Sequence, residues 1–239
     1  MIKFNTREFY EYLRDQKLFV SRGTRNLIYK YDDVNLIKVN KTLRGYVLGY
    51  DEYLRCIEEL KQDKKRKHLE TISKKIIELK PLVKKTTLPN KMVYVDDLYV
   101  GLIVNYFKGY QDIDRINFEK VEDVINLSYT IIDKIQELID NGIYSCDFTG
   151  GNILVKDKKV ELIDFDGEPI FYSKNYNSEL EHDSYESFYI TLVELMIQNF
   201  LKNKSYTDID LPTTFLNYNE FKKILDNYKT KVLKKQLTK

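Results

Sequence analysis

Tryptophan is missing from this chain of 239 residues; cysteine and histidine occur twice each, proline four times and glycine nine times. Each scarcity closes off a class of protein. Two cysteines, Cys56 and Cys146, make neither a disulfide framework nor a zinc-ligand spacing. A reducing, cytoplasmic setting is the expectation. With only His68 and His182 present, a histidine-rich metal site is not expected, and a histidine-based triad would have to use one of these two. Glycine and proline never cluster, so no flexible linker divides the chain, and neither a repeat nor a low-complexity tract is visible. The longest apolar run of note, LYVGLIV at 98–104, is far too short to span a bilayer. The start, MIKFNTREFYEYL, lacks the apolar stretch of a secretion signal, so no membrane partner is expected. Charge of one sign is lacking too. Lysine and arginine number 39 against 37 acidic residues, a formal net charge of +2, which gives no electrostatic case for nucleic acid.

What is present is an ordinary globular composition, 43% hydrophobic, in a chain long enough for one large domain or two lobes. Residues 17 to about 110 are of mixed texture. KLFVSRGTRNLIYKY and VNLIKVN are short β-like runs around turns. A helical stretch at 49–80 follows, with Tyr53, Ile57, Leu60, Leu69, Ile72, Ile76 and Leu79 at helical spacing. NKMVYVDDLYVGLIVNYF then reads as a hairpin turning at Asp96-Asp97. Beyond Gly109 the chain is mostly helical. FEKVEDVINLSYTIIDKIQELIDNG is a long amphipathic helix stopped by Asn141-Gly142. GNILVK and VELIDF form a small ribbon, and SYESFYITLVELMIQNFLK and NEFKKILDNYKTKVLKKQL are further helices. The basic runs at 64–67 and in the C-terminal tail read as solvated helix faces.

One segment does not fit a purely structural reading. In IYSCDFTGGNILV an acid, two glycines and an asparagine interrupt two apolar runs, and LIDFDG closes the ribbon that follows. Asp147 and Asn152 alone read as turn formers. With Asp164 at the end of the second ribbon strand, three oxygen-bearing side chains converge on one end of a short hairpin. Carboxylate plus amide oxygen suits Mg²⁺, a hard cation that leaves room for phosphates. A carboxylate beside it could orient a hydroxyl nucleophile and accept its proton.

Asp147 to Asn152, then ILV and LIDFDG, resembles the catalytic loop and metal-binding motif of the protein kinase-like superfamily. The resemblance runs from about Leu18 to Met196. VSRGTRNLIYKY resembles a degenerate phosphate-covering loop that keeps one glycine, Gly23. NLIKV puts Lys38 on a strand like the family's phosphate-anchoring lysine, GLIVNYFKGY is similar to the connector between lobes, and DSYESFYITLVELM is similar to the helix whose Asp, here Asp183, braces the catalytic loop.

The chain also departs from the family. Ser145-Cys146 stands where His-Arg is usual, Thr149 replaces a lysine, and the interval from Asp164 to Asp183 is short. These departures resemble small bacterial kinases and the aminoglycoside- and choline-kinase-like branch. The resemblance implies an α+β, bilobal kinase-like fold, with a small antiparallel β-sheet lobe and pairing helix at 1–108 and a mainly helical lobe at 109–239. It implies ATP and Mg²⁺ as cofactors and transfer of the γ-phosphoryl group to a hydroxyl of a protein Ser/Thr or of a small molecule. Asp147 is then the catalytic base, Asn152 and Asp164 hold the metal, and Gly23 and Lys38 face the phosphates. Glu70 or Glu52 pairs with Lys38; the sequence leaves both open, with Glu70 slightly ahead. A nucleotide-binding pseudokinase scaffold is the rival reading, and the oligomeric state is open.

Overall fold

The computed structural model describes residues 1–16, 18–20, 26–165, 169–200 and 215–237, and it is α+β. The chain divides into two compact units, Met1–Lys80 with Leu88–Lys108, and Pro81–Thr87 with Gly109–Lys239. Pro81–Thr87, assigned by sequence to the first lobe, groups with the second unit.

The first unit runs β1 (Ile2–Phe4), α1 (Thr6–Asp15), β2 (Leu18–Val20), β3 (Asn26–Lys30), β4 (Asn35–Asn40), a 3-10 stretch (Lys41–Leu48), α2 (Tyr50–Gln62), α3 (Lys64–Leu79), β5 (Lys91–Val95) and β6 (Leu98–Asn105). Among the described residues the six strands make one sheet in the order β1-β5-β6-β4-β3-β2. Every pair is antiparallel except β1 with β5. The β5–β6 turn is the expected two-residue one. Asp96 and Asp97 both take positive φ, 45° and 64°, which matches the twist of the flanking strands. The helical stretch at 49–80 is two helices, because the Asp63 carboxylate accepts from Lys65 N–H and starts a new N-terminus.

Strand alternation gives this sheet two different faces. Ile37, Val39, Val93 and Ile103 face one way and share a core with Phe9 and Leu13 of α1 and Tyr53, Ile57 and Leu60 of α2. Met92, Tyr94, Tyr99 and Leu102 face the other way, against Leu69 and Ile77 of α3. Gly101 lies where β6 crosses β4. A Cβ there would sit 1.9 Å from the Lys38 carbonyl oxygen, so only glycine lets the two strands approach this closely.

The second unit contains β7 (Gln111–Asp112), α4 (Val121–Asp140), β8 (Ile143–Ser145), β9 (Ile153–Lys156), β10 (Lys159–Leu162), β11 (Ile170–Tyr172), α5 (Ser178–Phe200) and α6 (Tyr218–Leu237). β9 and β10 form the expected ribbon around Asp157 and Lys158, both at positive φ, and β7 extends it. β11 pairs back onto β8. Ile131, Ile135, Tyr185, Phe188 and Phe221 are fully buried and knit α4, α5 and α6 together; the Phe188 and Phe221 rings stack at 5.4 Å. Glu137 of α4 fixes the segment Pro81–Thr87. Its carboxylate accepts from the backbone N–H of Lys84 and Lys85, each at 2.7 Å, and of Thr86 at 3.2 Å. Among the described residues no helix is long and apolar enough to cross a membrane.

Candidate functional site

In the first unit the sequence singled out Gly23, Lys38, Glu52 and Glu70. Gly23 lies outside the described residues. Lys38 is only 8% exposed, and β4 is an interior strand, so a solvated edge-strand lysine is ruled out. It stands opposite Leu102 on β6 and Ile28 on β3, on the face that packs against α3. This separates the two acids. Glu52 belongs to α2, whose buried side chains pack with Ile37 and Val39 on the other face, and it pairs with Arg55 at 3.1 Å. The sheet stands between Glu52 and Lys38, so Glu52 is set aside as the pairing acid. Glu70 belongs to α3, on the same face as Lys38. Its carboxylate accepts from Arg66 Nη1 at 3.0 Å and from the Tyr94 hydroxyl at 3.1 Å.

In the second unit Asp147, Asn152 and Asp164 gather at one end of the β9–β10 ribbon. The loop after β8 turns through a single 3-10 turn, Gly150–Asn152, whose first hydrogen bond is Asn152 N–H to Thr149 O at 2.9 Å. Beyond the last paired residues, Ile153 and Leu162, the ribbon gains one more rung as Ile163 N–H donates to Asn152 O at 3.0 Å. Asp164 follows directly. The Asn152 side chain donates its Nδ2–H to the Asp147 carbonyl at 2.9 Å. With the nitrogen engaged, the atom it offers as a ligand is Oδ1. Asp164 takes φ +72°, a left-handed conformation that a non-glycine residue adopts at a cost and that recurs at functional sites.

The donor chemistry fits Mg²⁺. An amide oxygen and a carboxylate oxygen are hard ligands, and Asn152 and Asp164 are both half-buried and flank the paired strands β9 and β10. Among the described residues no three His, Cys, Asp or Glu side chains form a metal site by themselves. A cation at this place would take its protein oxygens from Asn152 and Asp164.

Two neighbours define the surroundings of Asp147. The Cys146 thiol is pushed up to about 11, first by burial and then by the carboxylates of Asp183 and Asp147, which locates both negative charges beside it. Such a thiol is protonated and inert near neutrality. Gly150 is buried with its Cα against Asp114, where a Cβ would meet the Asp114 Cβ at 2.7 Å; Gly151 is exposed with open space above it. The paired glycines thus have different reasons. The first is a close contact, and the second bares the loop beside Asp147.

The sequence reading missed the residues beneath this loop. Asp183, expected to brace it, is exposed on α5, and the hydroxyls of Ser184, Ser187 and Thr191 touch the loop backbone instead. Serine and threonine are too common to signal anything alone. Their i, i+3, i+7 spacing becomes a signal only once the helix is known to pass under the loop. No family model and no curated protein matches this chain.

Proposed function

We propose that the protein is an ATP- and Mg²⁺-dependent kinase that transfers the γ-phosphoryl group to a hydroxyl. One observation carries the reading: Asn152 is locked by its amide nitrogen to the Asp147 carbonyl, next to a left-handed Asp164. The family resemblance of the Asp147–Asn152 and Asp164 motifs, with a buried strand lysine ahead of them, supports it. Asp147 aligns the acceptor hydroxyl and takes its proton. Asn152 and Asp164 supply the oxygen ligands for the cation, which when bound neutralises phosphate charge. Lys38 binds the α- and β-phosphates, and Glu70, on the same face of the sheet, is the acid we assign to steady it. No covalent enzyme intermediate is needed, because positioning and charge neutralisation account for the catalysis.

The acceptor we assign is a serine or threonine hydroxyl of a protein, favoured by the open surface over Gly151. A small-molecule acceptor is the second reading. It is favoured by the short interval 165–177, part of which is tied down as β11 on β8. The test is incubation with [γ-³²P]ATP and Mg²⁺ in a cell lysate, comparing wild type with Asp164→Ala. Label on proteins with wild type alone supports the first reading, and label on metabolites supports the second. ATP binding without transfer or hydrolysis would overturn both and leave a nucleotide-binding scaffold.

A further inference from the structure

Four consecutive backbone N–H groups around Asp147 all have identified acceptors. Ser145 N–H donates to Ser184 Oγ at 3.2 Å, and Cys146 N–H to Pro169 O at 3.1 Å. Asp147 N–H donates to Ser145 Oγ at 3.3 Å, and Phe148 N–H to Ser187 Oγ at 2.8 Å. On the carbonyl side, Thr191 Oγ1–H donates to Phe148 O at 2.8 Å, and Asn152 holds Asp147 O. Three of these partners are hydroxyls on one face of α5, at positions 184, 187 and 191.

We propose that Ser184, Ser187 and Thr191 are positioning residues for Asp147, clamping the backbone on both sides of it. This rests on the kinase reading of Asp147. The chemistry of the clamp suits the task. Ser184 Oγ–H donates to its own helix at Leu180 O, 2.7 Å away, which turns its lone pairs toward Ser145 N–H. Hydroxyls hold N–H and C=O groups without adding charge, whereas a carboxylate in the same place would add a third negative charge beside Asp147 and Asp183. Thr191 is 3% exposed and Ser184 is fully buried, so water cannot replace either partner. Because α5 is packed on α4 and α6 through Tyr185 and Phe188, the clamp refers Asp147 to the rigid body of the unit.

Ser187→Ala and Thr191→Val test this, with Thr191→Ser as the conservative control. A misplacement of about 1 Å costs on the order of 10²-fold in rate. We expect kcat to fall about 10- to 100-fold in Ser187→Ala and Thr191→Val, KM for ATP to stay within about twofold, and Thr191→Ser to restore kcat. Wild-type kcat in both variants would overturn the proposal, as would a loss in kcat matched by KM that Thr191→Ser fails to rescue. Amide hydrogen exchange over 144–152, on the same proteins, separates this from failure of the kinase reading. If wild type shows no phosphoryl transfer, faster exchange in Ser187→Ala confined to that segment still supports the clamp, and unchanged exchange overturns it.

Discussion

At the scale of single residues, the loop between Asp147 and Asn152 is specified almost atom by atom. Gly150 and Gly151 look alike in sequence, yet only the first is in close contact. Gly150→Ala is expected to cost about 1–3 kcal/mol through overpacking against Asp114, and Gly151→Ala to stay within about 0.5 kcal/mol; thermal or denaturant unfolding of the two variants decides this. Cys146 gives a second residue-scale prediction. Its thiol, pushed up to about 11, should resist iodoacetamide at pH 8 and become reactive only as pH approaches that value, which mass spectrometry of the modified peptide reads directly. The sign for stability follows. A free thiol loses its proton near pH 8.5, so as pH rises the unfolded chain deprotonates first. The stabilisation Cys146 provides is intact below that pH and is lost progressively toward about 11. The Asp147, Asn152 and Asp164 set was legible in the sequence because acids and an amide interrupt apolar runs at fixed spacing. The hydroxyls of α5 were not, because nothing in their own neighbourhood distinguishes them from other helix serines.

At the scale of elements, periodicity and turn chemistry carried most of the reading. The Asp96-Asp97 hairpin, α4 with its stop at Gly142, and the β9–β10 ribbon lie where the local signals put them. What escaped was short or non-local. β1 is three residues long and gains its structure only by parallel pairing with β5, some ninety positions away. β8 and β11 are also three residues each and define one another. α1 was readable after the fact, since Asn5 and Glu8 form a complete capping box. Gly101 sets the contact between β6 and the strand that carries Lys38. Gly101→Ala forces the strands apart at the Lys38 carbonyl and is expected to destabilise by roughly 2 kcal/mol or more, with weakened ATP binding in calorimetry. Glu137→Ala removes the acceptor for three backbone N–H groups. Exchange of the Lys84–Thr86 amides should accelerate while the centre of α4 stays protected.

For the whole molecule, the α+β class and the two compact units stand independently of any functional reading. The mixed β-like and helical runs anticipated the α+β class, but the choice between the two acids needed the sheet. Glu52 and Glu70 are both acids on helices after Lys38, and only strand alternation shows which one shares its face. Glu70→Gln should therefore weaken ATP binding and turnover together, whereas Glu52→Gln should change neither by more than about twofold. The central claim is that Asp147 acts on the acceptor. Its most direct measurement is single-turnover phosphoryl transfer with Mg²⁺·ATP, wild type against Asp147→Asn, alongside ATP affinity for both. Transfer is expected to slow by about 10³-fold or more in Asp147→Asn, with ATP affinity changed only a few-fold. Transfer by Asp147→Asn at the wild-type rate, or ATP bound by both proteins and transferred by neither, would contradict it.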